Sequence, residues 1–132
     1  MNILFYTTVQ GEQGERLQRV IEVFSPKEKL ETCRSIGTLR EKLQQPFKHL
    51  DVAVFFPSDE NELSDLLTIQ NLLSGIRIIL VLPNRTRGIV SMGHMLRPRL
   101  ISYCDSDFFE VAAVLGRMLE KWDVAHKMDE RQ

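Results

Sequence analysis

Hydrophobic and polar positions alternate along this chain in two periods that replace one another five times. Short runs rich in β-branched and aromatic residues are each followed by a stretch where apolar residues recur every three or four positions. The first run is "NILFYTT" (2–8), and the helix predicted after it is "GERLQRVIEVF" (14–24). There Leu17, Val20, Ile21 and Phe24 stand at i, i+3, i+4 and i+7, and Pro26 closes the element. The second run, "LETCRSI" (30–36), alternates Leu30, Thr32 and Arg34 with Glu31, Cys33 and Ser35, as an edge strand does. The helix "GTLREKLQQP" follows, with Thr38 and Glu41 spaced as a capping box and Pro46 at its end.

The third run, "LDVAVFF" (50–56), is continuously apolar after Asp51, the pattern of a strand covered on both faces. "SDENELSDLLTIQNLLSG" predicts the third helix, capped by Asp59 with Glu62 and stopped by Gly75. "IRIILVLP" is a second inner strand. The fourth helix, "TRGIVSMGHML", is weakened by Gly88 and Gly93 at about 1 kcal/mol each against alanine. "RLISYC" is the fifth strand. The last helix, "DFFEVAAVLGRMLEKWDVAHK", is predicted to start at an Asp107 cap with Glu110 at N3. It buries Phe108, Val111, Ala112, Leu115, Leu119 and Trp122, and "MDERQ" (128–132) is a frayed tail.

Strands and helices in strict alternation, with apolar inner strands, predict an α/β fold: a three-layer, doubly wound, five-stranded parallel sheet. Right-handed crossovers favour the flavodoxin-like order 2-1-3-4-5, in one domain over residues 1–127. In that order Cys33 and Cys104 lie on opposite edges, four spacings of about 4.8 Å apart. A disulfide needs Cα atoms within about 7 Å, so the two cannot pair within the chain.

Composition narrows the function by exclusion. No apolar run approaches the ~20 residues that span a bilayer, and the start has no basic region before its short apolar stretch. The expectation is a cytoplasmic protein without a membrane partner. A net charge of −1 argues against a general nucleic-acid binder. Two cysteines and three scattered histidines lack metal-ligand spacing, so no metal site is expected. Charge is nevertheless segregated. Arg77, Arg85, Arg87, Arg97 and Arg99 fall in an acid-free stretch from Ile76 to Cys104, just after "SDENELSD" with Asp59, Glu60, Glu62 and Asp65. These runs are either two solvated faces or a dipolar surface that steers a partner.

In an open α/β sheet, ligands bind beyond the carboxyl ends of the strands. The residues expected there are Thr7 and Thr8; Phe56, Pro57, Ser58 and Asp59; Pro83 to Arg87; and Tyr103 to Asp105. Five β/α units of this length, with "LDVAVFFP" ending the third strand, resemble the receiver domain of bacterial response regulators, the phosphorylation switch of two-component signal transduction. The resemblance implies an aspartate at the end of the third strand as phosphoryl acceptor and an acidic pair after the first strand to hold Mg²⁺. It also implies a Ser or Thr after the fourth strand and a Lys after the fifth. Here Phe56 stands at the acceptor, Thr7 and Thr8 at the acidic pair, Leu82 or Pro83 at the hydroxyl, and Tyr103 or Cys104 at the lysine. A phenyl ring cannot attack phosphorus, and threonine hydroxyls are poor ligands for Mg²⁺. Asp51 lies at the wrong end of its strand, and Asp59, Asp105 and Asp107 read as caps or loop acids. The expectation is a degenerate pseudo-receiver that regulates without aspartyl phosphorylation and is not an enzyme.

"TTVQGEQGE" is also loosely similar to the phosphate loop of flavodoxins. Glu12 and Glu15 beside the glycines, and the lack of aromatic residues after strands 3 and 4, argue against FMN, and no cofactor is expected. An alternative function is a small sensor holding an anion or nucleotide with Thr7, Thr8, Ser58, Arg85 and Arg87. Against it, both arginines can instead face water or pair with acids. Receiver-like domains usually act through helix 4, strand 5 and helix 5. That face would here present Met92, Met95, Arg97 and Arg99 to a protein partner or to a second copy. Cys104, near the site edge, is a candidate reactive thiol.

Overall fold

The computed structural model describes residues 1–26, 29–45 and 49–130, with the side chains of 127–130 outside that description. Pro46, expected to end the second helix, is therefore not among the described residues. Five strands, β1 (Ile3–Thr7), β2 (Leu30–Cys33), β3 (Val52–Phe56), β4 (Arg77–Leu82) and β5 (Leu100–Tyr103), form one sheet in the order β2-β1-β3-β4-β5. Every pairing is parallel. The expected α/β, flavodoxin-like arrangement is the one observed.

Two hydrophobic layers sandwich the sheet, because alternate strand residues point to opposite faces. On one face Phe5, Val54, Phe56, Ile79 and Val81 pack against α1 (Glu12–Phe24) and α5 (Phe109–Glu130). On the other, Leu4, Tyr6, Phe55, Leu80 and Leu82 pack against α2 (Ile36–Leu43), α3 (Glu60–Thr68) and α4 (Arg87–Met95). All five residues of β3 and all of β4 after Arg77 are buried, as their apolar runs predict, and all five of β1 are buried as well. Cys33 sits in the second layer at one sheet edge and Cys104 follows β5 at the other.

Element boundaries differ from the sequence reading where side chains compete for backbone groups. The second helix starts three residues early: Ser35, not Thr38, is its N-cap, accepting from the Thr38 amide at 3.2 Å. The third helix breaks after Thr68, and a 3₁₀ turn over Gln70–Leu73 replaces its last turn. Thr68 Oγ1 donates to the Asp65 carbonyl at 2.5 Å, and the β-branched pair Thr68–Ile69 is a poor helix former, so the ladder gives way there. Gly75, at φ 81°, supplies the left-handed turn that leads into β4.

The last helix begins one residue late. Asp107 is not the N-cap; its Oδ1 accepts from the Phe109 amide, while Ser106 Oγ accepts from the Phe108 amide. These two bonds turn Phe108 into the left-handed region at φ 64° and press its ring into the α1/α5 layer, where it is 1% exposed. Burial of that ring offsets a backbone strain of roughly 1–3 kcal/mol. The helix continues past Lys127 to Glu130. Along it Val111, Leu115 and Met118 are the buried positions, and Ala112, Leu119 and Trp122 are half-buried.

Candidate functional site

The carboxyl ends of β1, β3 and β4 open into a crevice of about 400 Å³ lined by Thr8, Val9, Gln10, Gln13, Phe56, Ser58, Pro83 and Cys104. No described residue lining it carries a charge. The opening loop reaches it through geometry the two glycines permit. Gly11 sits at φ 105° as the N-cap of α1, without a side-chain cap bond. Gly14 is buried so tightly that an added Cβ would lie 2.8 Å from the Val9 carbonyl oxygen. The glycines thus fold the turn against its own backbone.

Most of the polar groups expected to face a ligand have partners within the chain. Thr7, fully buried, donates to the Phe56 carbonyl at 2.9 Å and accepts from the Val9 amide at 3.0 Å, which closes the turn after β1. Thr8 and Ser58 converge on one carboxylate, that of Glu62 in the first turn of α3. Their hydroxyls donate to its Oε2 at 2.6 Å each, and the Ser58 amide donates to the same oxygen at 3.3 Å. Tyr6, at the end of β1 and fully buried, donates to Oε1 at 2.6 Å. Burial, and then the hydrogen bond and charge of Glu62, push the Tyr6 hydroxyl above the usual tyrosine range.

Glu62 is the residue that sequence reasoning missed. Its spacing to Asp59 reads as a capping box, and half of one is present: the Asp59 carboxylate accepts from the Glu62 amide at 2.9 Å. The returning half goes to Ser58, Thr8 and Tyr6 instead. The available signal was the hydroxyl pair at positions 6 and 8, which the alternation of β1, carried one residue past its end, puts on the side of α3.

The arginines after β4 stand outside the crevice. Arg85 pairs with Asp105 at 2.6 Å and lies over the Tyr103 ring at 4.1 Å. The hydrogen bond from Arg85 holds the Asp105 carboxyl below its ordinary value. Arg87 is exposed at the first residue of α4, after the Thr86 cap. Of the five residues expected to surround an anion, the fold brings together Thr8 and Ser58 on Glu62. It leaves Thr7 inside the turn and both arginines on the rim.

The remaining positions fall as follows. Phe56 ends β3 beside Thr7, its ring 1% exposed beneath α1 and α5. Leu82 is buried at the end of β4, paired with Tyr103. Cys104 is half-exposed, and its thiol donates to the Pro83 carbonyl at 3.1 Å. On the α4–β5 edge Met92 is half-buried against the core, Met95 is 62% exposed, and Arg97 and Arg99 are exposed. Arg97 takes φ 54° just after α4 ends. Among the described residues no group of three or more His, Cys, Asp or Glu could hold a metal ion, and no helix is long and apolar enough to cross a membrane. No family model matches the sequence, and none of the curated proteins is detectably similar to it.

Proposed function

We propose that this chain is a receiver-like regulatory domain that acts by binding another protein, or a second copy of itself, without taking up a phosphoryl group, and that it works in the cytoplasm. The observation that carries the reading is the occupancy of the strand carboxyl ends. Aspartyl phosphorylation needs a carboxylate free to attack and a cation to neutralise the transferring oxygens. Glu62, the carboxylate bonded to the lining residues Thr8 and Ser58, already accepts from four donors, and the end of β3 carries a buried phenyl ring. The same bonds weaken the alternative of an anion sensor, because the hydroxyls an anion would use are given to Glu62 and Arg85 is given to Asp105.

In this reading the α4–β5–α5 edge carries the signal. Met95 projects from it, between half-buried Met92 and the exposed Arg97 and Arg99, and methionine makes adaptable apolar contacts. The test is capture of a partner from the source cell, with light scattering of the purified chain to detect self-association. An Arg97→Glu, Arg99→Glu double variant should lose the partner or the dimer. Incubation with acetyl phosphate and Mg²⁺ should leave the intact mass unchanged; a phosphorylated Asp or Glu would overturn the reading.

A further inference from the structure

The opposite end of the sheet carries a recess whose chemistry the proposed function does not explain. Val114, Arg117, Met118 and Lys121 stand at i, i+3, i+4 and i+7 on α5 and form one stripe beside the amino-terminal ends of β4 and β5. Arg77, the first residue of β4, and Arg99, just before β5, face that stripe across a recess of about 270 Å³. Four cations thus surround a floor of Val114 and Met118, with no acid among the described residues that line it. Arg99 is held there by its amide, which donates to the Ile78 carbonyl at 2.7 Å.

Arg85 is tied to Asp105 and Lys42 to Glu31, but none of these four cations makes a side-chain ion pair or hydrogen bond with a described residue. Converging, unpartnered like charges repel one another and are relieved by a compact polyanion. A second recess of about 270 Å³ shares the walls Arg77 and Lys121. It is lined by Trp122, whose ring stacks on His126 at 3.7 Å, and by His49 and Asp51. Arginine forks match phosphate oxygens, and an aromatic pair suits a planar ring.

We infer that this double recess binds a nucleoside polyphosphate, with the phosphates on Arg77, Arg99, Arg117 and Lys121 and the base toward Trp122 and His126. The site is at the end of the sheet opposite the Glu62 crevice; it shares Arg99 and part of α5 with the proposed partner surface and is tested through Arg117 and Lys121, which the Arg97→Glu, Arg99→Glu variant leaves in place.

Trp122 is the sole tryptophan, so its fluorescence reports on the site directly. The experiment titrates the full chain with ATP, tripolyphosphate, adenosine and a short single-stranded oligonucleotide, by fluorescence and calorimetry. ATP should saturate at one per chain, tighter than tripolyphosphate, and weaken as salt is raised. Arg117→Ala with Lys121→Ala should weaken ATP at least ~10-fold, the loss of two charge-assisted contacts. Both residues are exposed, so circular dichroism should show an unchanged fold. Arg85→Ala, at the far end, should bind ATP like the parent chain. No saturation by about 1 mM ATP, the conventional weak limit, would overturn the inference, as would equal binding of tripolyphosphate or unaltered binding by the double variant. Tighter binding of the oligonucleotide than of ATP would overturn it in favour of a nucleic-acid strand.

Discussion

Replacing Glu62 by alanine removes the acceptor of three hydroxyls, and the cost can be worked out group by group. Thr8 is half-buried and Ser58 exposed, so both hydroxyls return to water and lose little. Tyr6 is fully buried; its hydroxyl cannot, and an unsatisfied buried donor costs about 1–3 kcal/mol. Adding the lost bonds to a charged acceptor, Glu62→Ala should destabilise by about 2–4 kcal/mol. Tyr6→Phe removes the donor and leaves the carboxylate with Thr8 and Ser58, for a cost of about 1 kcal/mol. In the Glu62→Ala background that second change removes a stranded hydroxyl and should cost nothing or restore stability. The double-mutant cycle should therefore give a coupling of roughly 1–3 kcal/mol. Urea denaturation at neutral pH measures it, with unchanged m-values as the check that the unfolded state is the same. Glu62→Gln serves as control: hydroxyls both donate and accept, so Thr8 and Ser58 can turn to meet an amide, and the loss should be smaller than for alanine. Additive effects, with a coupling below about 0.5 kcal/mol, would refute the claim that this carboxylate holds Tyr6.

The same pair sets an alkaline limit. The folded Tyr6 hydroxyl keeps its proton where the unfolded chain, near a pKa of about 10, gives it up, so its contribution is complete below that pH and is lost as the pH rises further. Tyr6→Phe should flatten the fall in stability above about pH 10 in urea melts taken across that range; an identical slope in both proteins would contradict it. Two glycines of α4 should respond in opposite directions. A Cβ at Gly93 would lie 3.0 Å from Leu80 Cδ2 in the core, so Gly93→Ala should lower the urea midpoint despite a helix-propensity gain of up to ~1 kcal/mol. At Gly88 the nearest atom is the end of the exposed Glu60 side chain at 3.3 Å, which can swing away, so Gly88→Ala should raise stability by roughly 0.5 kcal/mol. A thiol reagent on the native protein should modify Cys104, half-exposed in the crevice, and reach buried Cys33 only after unfolding. Mass-mapped labelling checks this, and equal rates at both positions would contradict the burial.

How much of this was legible beforehand depends on the range of the interactions. Hydrophobic period, caps and breakers act within about one helical turn, and they carried the five β/α units, the buried inner strands β3 and β4, and the 2-1-3-4-5 order that separates Cys33 from Cys104. Even local rules failed where two side chains competed for one backbone group. Ser35 displaced Thr38 as a cap, Thr68 ended a helix that its pattern would have continued, and Ser106 with Asp107 drove Phe108 into a left-handed turn.

The sites depend on contacts that no local pattern encodes. Glu62 meets Tyr6 and Thr8 across more than fifty residues, and Arg85 meets Asp105 across twenty. Arg77 and Arg99 meet the α5 stripe only because β4 and β5 lie side by side at one edge of the sheet. The amino-acid sequence by itself determined which segments are strands and helices and which of their faces are apolar, because burial of those faces decides the layers. Only the tertiary structure decided which polar side chains satisfy each other and which remain unpaired. A hydroxyl and a carboxylate, or a cluster of cations, acquire that relation when strand ends and helix turns are brought together by a core in which they take no part.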